Sequence, residues 1–507
     1  MNYNIGNKDR IITNFWNHVH FHPTDAIEDN WGKIILDNIS SDGVAQYVRI
    51  YAMLEDIVSL DKYGELTYDF EATDKRIDYM IEKGFELLIC FNFMPLAIAD
   101  DTTKISVFKR HKGKRINTSK PKDYKLWQEV CKQYTKHLLD RYGEERLLNW
   151  YLHCWNEPDL DIFWLSGVED FAERTKEHHM LYDHFAAGVL EANDKLKIGG
   201  PSAAGINEFI ESFLEHTSSG TNYVTGEIGT RLDFFSAHTY GMGPKDLTNG
   251  ENLSVSRTLN KTIELNEIAK KYGYGNIEMI VDEWEATYEG FLSMKDCPEL
   301  VYRNNEYFSA FFAKTVDLYI KGLYENKIPL SKMMICLSGQ HGLVRDFEGY
   351  RNFFTLNHFA KPIYNSYALC AKLGDVLLKY DGDDCSDMGI VPTKNVNGDY
   401  KILIYYNNDD ANKRQENRKV SINIDNIKGN FILKHYRIDH DISNSFTSWC
   451  AMGKPENPNQ FEREMIMQDG KLKLLYPQES IKIDGKYSES VLMSQNSVSL
   501  IELTRYE

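Results

Sequence analysis

Short apolar runs alternate with longer amphipathic segments over roughly the first 370 residues, and this alternation constrains the fold more than any other feature. The runs are Ile12–Val19, Gln46–Tyr51, Glu86–Phe93, Asn149–Trp155, Leu196–Gly199, Leu232–Thr239, Ile277–Trp284 and Met333–Leu337. Between them, Phe70–Lys83, Tyr124–Tyr142, Glu169–Ala192, Thr258–Tyr272 and Glu306–Asn326 space their apolar residues as a helix does. Strands alternating with helices in this way predict an α/β chain with a parallel sheet, closed as a (β/α)₈ TIM barrel over residues 13–370. The texture then changes. Lys401–Tyr406, Val420–Ile424, Asn430–Arg437, Lys471–Leu475, Glu479–Ile483 and Ser497–Leu503 read as short strands separated by turn material such as Asn397-Gly398-Asp399. Residues 371–507 are therefore expected to form a C-terminal antiparallel β-sandwich, to which residues 1–12 offer a further strand.

Composition narrows the partners. The net charge of −17 disfavours a nucleic-acid backbone or an anionic membrane surface. The abundance of Tyr (31), Phe (25) and Trp (8) suits stacking on sugar faces as well as a core. The eight cysteines contain no C-x-x-C pair, and several lie in strand-like runs, so buried free thiols are expected. Neither a signal peptide nor a membrane span is visible. The expected location is cytoplasmic for a native chain, and periplasmic or secreted if a leader was removed. The sequence sets no oligomeric state.

Two strand ends carry the chemistry. The fourth run ends in Asn156-Glu157-Pro158, where proline stops any continuing ladder. The seventh ends in Asp282-Glu283-Trp284. Glutamates at the carboxyl ends of strands four and seven would face each other across a barrel mouth, as a glycosidase with paired carboxylates requires. Asp282 and Glu283 are neighbours and should point to opposite faces, so only one can aim at a substrate while the other pairs or faces solvent. Arg49, ending the second run, suits the task of keeping a carboxylate ionised. His238 and Tyr240 share one face of strand six.

These residues sit in an ordered series that resembles glycoside hydrolase family 39, the family of β-xylosidases and α-L-iduronidases. The series runs through Gln46-Tyr47-Val48-Arg49, Asn92-Phe93-Met94-Pro95, Trp155-Asn156-Glu157-Pro158 with Phe163-Trp164, Gly199-Gly200-Pro201-Ser202, Ser236-Ala237-His238-Thr239-Tyr240 and Asp282-Glu283-Trp284. It continues into Tyr436-Arg437-Ile438-Asp439, Ser443-Asn444-Ser445 and Met452-Gly453-Lys454-Pro455. The resemblance implies a retaining glycosidase with Glu157 as acid/base and Glu283 as nucleophile, acting on an oligosaccharide or glycoside without metal or organic cofactor. It implies substrate-binding roles for Arg49, Asn156, His238 and Tyr240, with Asn92 and His20 as further candidates. The chain also departs from the pattern. Arg49 is followed by Ile50-Tyr51 where an aromatic and then a histidine are usual, strand eight has no tryptophan, Glu285 replaces a usual asparagine, and the loop after strand three carries the basic run Lys109–Arg115. A β-xylosidase-like enzyme with an altered sugar site is the result. Two other readings stand beside it. His18 and His20 form an H-x-H of the kind that holds a divalent metal in amidohydrolase barrels, and a non-catalytic glycan-binding barrel is the third.

Overall fold

A computed structural model describes residues 1–21, 30–108, 113–288, 290–338, 343–383 and 385–506. Eight parallel strands close into a barrel: β1 (His18–Phe21), β2 (Tyr47–Tyr51), β3 (Glu86–Phe91), β4 (Tyr151–Cys154), β5 (Lys197–Ala203), β6 (Phe234–Met242), β7 (Glu278–Thr287) and β8 (Leu330–Leu337). Each strand pairs with its neighbours in sequence, and β8 returns to β1 through Met334–His18 and Cys336–His20. Helices Glu71–Glu82, Tyr124–Tyr142, Phe171–Ala192, Val255–Lys271 and Glu306–Asn326 occupy the segments expected from their periodicity. The first strand starts later than its apolar run: the Phe15 carbonyl accepts from the Met333 N–H at 2.7 Å, but the continuous ladder of β1 begins only at His18.

Inward-facing residues fill the barrel in layers, as alternation along each strand demands. Leu88, Tyr151, Phe234, Ile280 and Met334 pack with Tyr47 into an apolar plug. Polar side chains lie above it toward the carboxyl ends. On β7 the ladder to β6 skips Asp282, pairing Val281 with Ala237 and Glu283 with His238. This bulge turns both acids of the Asp282-Glu283 pair toward Arg49, so the expectation that they point to opposite faces fails.

The C-terminal sheet comprises β9 (Val376–Gly382), β10 (Met388–Lys394), β11 (Tyr400–Tyr406), β12 (Arg418–Ile438), β13 (Lys473–Leu474), β14 (Glu479–Met493) and β15 (Ser497–Tyr506). The N-terminal strand Asn2–Ile11 joins it, antiparallel to β9 and parallel to β12. The sheet is thus of mixed strands, with that one parallel pairing departing from the antiparallel expectation. Its pairings run from the N-terminal strand through β9, β10, β11, β15 and β12 and back, over a core that includes Tyr3, Ile5, Ile402, Ile404, Val420 and Ile422. The runs at 420–424 and 430–437 are one strand. Asn426 takes φ 59° there and the register to β14 shifts, so the turn-like residues between them make a bulge instead of a hairpin. All eight cysteines are free thiols, six of them buried. Among the described residues no helix is long and apolar enough to cross a membrane.

Candidate active site

At the end of β4 the backbone turns sharply. Trp155 and Glu157 both adopt left-handed conformations (φ 62° and 44°), which non-glycine residues occupy at a cost. The Glu157 N–H donates to the Ser202 carbonyl on β5 at 2.9 Å, so the neighbouring strand fixes the turn. Glu157 and Glu283 thereby come together, and one oxygen of each lies within 4.8 Å of the other and of a His238 ring nitrogen.

Arg49 organises the floor beneath them. Its guanidinium is fully buried and donates to Glu283 Oε1 (2.7 Å), Asn156 Oδ1 (2.6 Å), Ser202 Oγ (2.9 Å) and His153 Nε2 (3.2 Å), with Asp282 at 3.3 Å. His20 also lies beside it. Burial and the Arg49 charge hold His20 down to about 3, so the ring is neutral. Its Nδ1–H then donates to the Arg49 carbonyl (3.2 Å) and its Nε2 faces the guanidinium (3.3 Å).

The two glutamates are pushed in opposite directions. Burial raises Glu157 above the ordinary carboxylate range, against the hydrogen bond from His238. Burial works on Glu283 too, but the charges of His238 and Arg49 and the hydrogen bond from Tyr240 outweigh it and hold the carboxylate well below that range. A neutral His20 adds no charge to this balance. Burial opposes the charge on His238, yet Glu283, Asp282 and Glu157 around it lift the imidazole to about 9. As imidazolium it donates Nδ1–H to Glu157 Oε1 (2.9 Å) and Nε2–H to Ser202 Oγ (3.1 Å), while Ser202 donates to Asp282 (2.6 Å).

A cavity of about 470 Å³ opens over this floor. His20, Tyr51, Asn156, Glu157, Tyr240 and Glu283 line it. A model of the family described as glycosyl hydrolases family 39 matches residues 4–486, nearly the whole chain. The chain belongs to glycoside hydrolase family 39. It is 26% identical over 489 residues to a β-xylosidase of Caldicellulosiruptor saccharolyticus, covering 93% of this chain and 91% of that one. It is 27% identical over 253 residues to the α-L-iduronidase of Mus musculus, covering 46% and 36% of the two chains. Among solved structures, a monomeric β-xylosidase from Caulobacter crescentus CB15 superposes with a TM-score of 0.81 at 18% identity over the full length of both chains. A bacterial orthologue of human α-L-iduronidase gives 0.82 at 17% identity, over all of this chain and 84% of that one. This family 39 protein is a glycoside hydrolase, and its substrate is a carbohydrate.

Other predicted residues of the family 39 site fall outside the cavity lining. Arg49 lies under the floor with its donors engaged, and His238 holds Glu157 from behind. Asn92 is fully buried, and its amide finds no partner among the described residues. His18 accepts from the Tyr47 N–H at 3.3 Å, one inward-facing position before His20, and shares no metal-sized cluster with it. The two such clusters among the described residues are His20–Glu283–Cys336 and Glu157–His238–Glu283. Both are built on Glu283, whose Oε1 is already held by Arg49. His22 and Lys109–Lys112 lie outside the described residues. Lys114, from the same basic run, pairs with Glu55 and Asp56 at 2.9 Å, so its charge is spent within the fold.

The cavity also contains residues that sequence reasoning missed. Arg351 follows β8 and Lys261 sits on the helix after β6. Neither forms an ion pair among the described residues. Arg351 donates Nε–H to Ser338 Oγ (3.1 Å), packs its guanidinium over the Tyr240 ring, and leaves one Nη buried without a partner. A Cβ on Gly290 would fall 2.1 Å from that guanidinium, so any larger residue there would push Arg351 and Ser338 from these positions. No motif or periodicity marks Arg351 in the sequence.

Proposed function

We propose that the chain is a retaining glycosidase that cleaves an O-glycosidic bond by double displacement, β-xylosidase-like in chemistry with an altered sugar site. The observation that carries this reading is the opposite displacement of two adjacent carboxyls: burial pushes Glu157 up, while His238 and Arg49 hold Glu283 down. The approach of the two carboxylates supports retention, because an inverting pair must stand about 6.5–9.5 Å apart to admit a water. Glu157 gives its proton to the glycosidic oxygen as the C1–O bond breaks, and the bonding pair stays on that oxygen. A Glu283 oxygen bonds to C1. A water then gives its proton to Glu157 and its oxygen to C1, which releases Glu283. Asn156, with its Oδ1 turned to Arg49, presents its NH₂ to the hydroxyl beside the anomeric carbon, and Tyr240 and His20 border the sugar. Residues 13–370 serve as the catalytic domain, and 371–507 with the strand from 1–12 as the accessory one. The separate apolar cluster of the C-terminal sheet supports this division.

Glu283→Ala is expected to abolish turnover, and azide to restore it with an inverted glycosyl azide as product. Full activity without azide sinks the assignment. Glu157→Ala should keep activity only on aryl glycosides with acidic leaving groups, which need little protonation, and equal losses on all substrates count against Glu157 as the acid.

The altered sugar site favours a glycone that carries an anion. Arg351, with one unpartnered Nη, and Lys261, which donates to the Tyr240 carbonyl at 2.7 Å, bring to the cavity two cations without an ion-pair partner among the described residues. A glycone carboxylate would pair with them where a neutral pentose would not. Arg351→Gln should lower kcat/KM by roughly 10²-fold or more on an α-L-iduronide or β-D-glucuronide, and far less on a β-D-xyloside. A larger loss on the xyloside reverses this assignment.

A further inference from the structure

The cavity has two unlike walls. The end of β6 and the segments after β6, β7 and β8 supply Tyr240, Lys261, Tyr288, Ser338 and Arg351, which are polar or charged, with Phe291 beside them. Segments after β3, β4 and β5 supply Phe108, Leu160, Ile162, Phe163 and Ala204, which are apolar. The second wall adjoins Glu157, since Leu160 donates its N–H to the Glu157 carbonyl at 3.0 Å and Phe163 to that of Leu160 at 3.1 Å. Phe163 stacks between Phe93 and Phe108, with ring centroids at 6.0 and 5.3 Å. Leu160 and Ile162 stand 38% and 44% exposed at its rim.

Among the described residues, Asp159 and Asp161 beside this wall are engaged within the fold, Asp161 by the Gly167 N–H at 2.7 Å and by Arg174. Asp159 accepts from the Ala204 N–H and from Asn207, at 2.9 and 2.8 Å, and Lys104 donates to the Ser166 carbonyl. A second sugar placed here would bring several hydroxyls against side chains that cannot bond them, and each hydroxyl left unpaired weakens binding. The exposed members of the wall are branched aliphatics, which suit alkyl or aryl carbon better than the flat stacking a pyranose ring prefers.

We infer that this wall is the leaving-group subsite and that it takes an apolar aglycone, so the preferred substrate is a glycoside of an alkyl or aryl alcohol and not a disaccharide. The inference rests on the role of Glu157 proposed above, because the acid that protonates the glycosidic oxygen must stand on the aglycone side of the bond. It also explains why one cavity has charge at one end and apolar side chains at the other. The glycone meets the first wall and the aglycone the second.

Chain length tests this cleanly, because methyl, butyl and octyl glycosides have leaving groups of nearly equal acidity and differ only in apolar surface. Turnover of 4-nitrophenyl β-D-xyloside and 4-methylumbelliferyl α-L-iduronide is measured first, and the alkyl series is built on the glycone accepted. For the full-length enzyme, kcat/KM should rise from methyl to octyl by up to about fourfold per methylene that reaches the wall. It should exceed kcat/KM for a disaccharide of the same glycone. The double variant Leu160→Ser, Ile162→Ser, at exposed positions, should flatten that rise whatever it does to the methyl glycoside. Equal rates along the alkyl series, or a disaccharide cleaved faster than the octyl glycoside, overturn the aglycone inference while turnover of the aryl glycoside leaves the glycosidase reading standing. A rise that survives in the double variant overturns the placement of the subsite. No turnover of either aryl glycoside, nor of an aryl panel of other glycones, overturns both readings.

Discussion

Glu283 and Glu285 stand two residues apart on β7 and are both buried. Each is tied to a buried arginine and each is held below its ordinary pKa, because neighbouring positive charge outweighs the cost of burial. Their surroundings differ in one respect. Glu285 has both oxygens occupied, by Arg303 (3.0 Å), Tyr302 (2.8 Å) and the N–H and hydroxyl of Thr287 (2.8 and 3.0 Å), and it does not line the active-site cavity. Glu283 is held by Arg49 and Tyr240 and still lines the cavity opposite Glu157. An ionised buried carboxylate therefore marks a site only where space for a reacting atom lies beside it. In the fully satisfied case the same chemistry serves the fold.

That contrast can be broken experimentally. The largest expected effect is on rate. Glu283→Gln should lower kcat/KM by about 10⁴-fold or more, as removal of a nucleophile does. Glu285→Gln should stay within about tenfold of wild type once folded, since no substrate contact is removed. Comparable losses in the two variants would erase the distinction. Next comes stability. Removing one partner of a buried, hydrogen-bonded pair costs about 3–5 kcal/mol, so Arg303→Met and Arg49→Met should each be destabilised by that order in denaturant titrations. Only Arg49→Met should also move the acid limb of the pH–rate profile upward, because Glu283 loses the cation that keeps it ionised. An unmoved acid limb would remove Arg49 from the electrostatics of the nucleophile.

A smaller effect should appear in the pH dependence of stability. Glu285 has a folded pKa below its ordinary 4.5, so its contribution is complete above about pH 4.5 and is lost as pH falls through the folded value. Glu285→Gln should lack this acid-side loss, and an unchanged acid transition would refute the pairing with Arg303. A second pH effect comes from Lys361, which lies behind the same network and donates to the Tyr350 carbonyl at 3.0 Å. Burial, helped by the Arg303 charge, lowers it to about 7, so the unfolded chain binds more protons between about pH 7 and 10.5 and stability rises with pH across that window. Lys361→Met should remove this rise, as thermal melts at pH 7.5 and 9 would show.

Much of the architecture was legible in the sequence because a barrel strand announces itself locally. An apolar run, a helical period and a strand-ending Glu157-Pro158 are each readable within a dozen residues. Less of the edges was legible. The strands Val376–Gly382 and Met388–Lys394 and the hairpin of Ile105–Phe108 with Lys114–Asn117 were missed, because short strands in half-polar sequence are stabilised by partners distant in the chain. For the same reason the apolar wall around Glu157 could not be read, since Phe108, Phe163 and Ala204 come from three different connections.

The sequence by itself determined the alternation that closes a barrel, the two glutamates at strand ends four and seven, and the arginine suited to one of them. Only the tertiary structure decided the rest. It turned Asp282 and Glu283 to the same side through a bulge, lowered one carboxyl and raised the other, and brought Arg351 and Lys261 into the cavity from remote segments. The physical reason is range. Strand and helix periodicity is a property of neighbours in the chain, whereas burial, charge and cavity shape depend on neighbours in space.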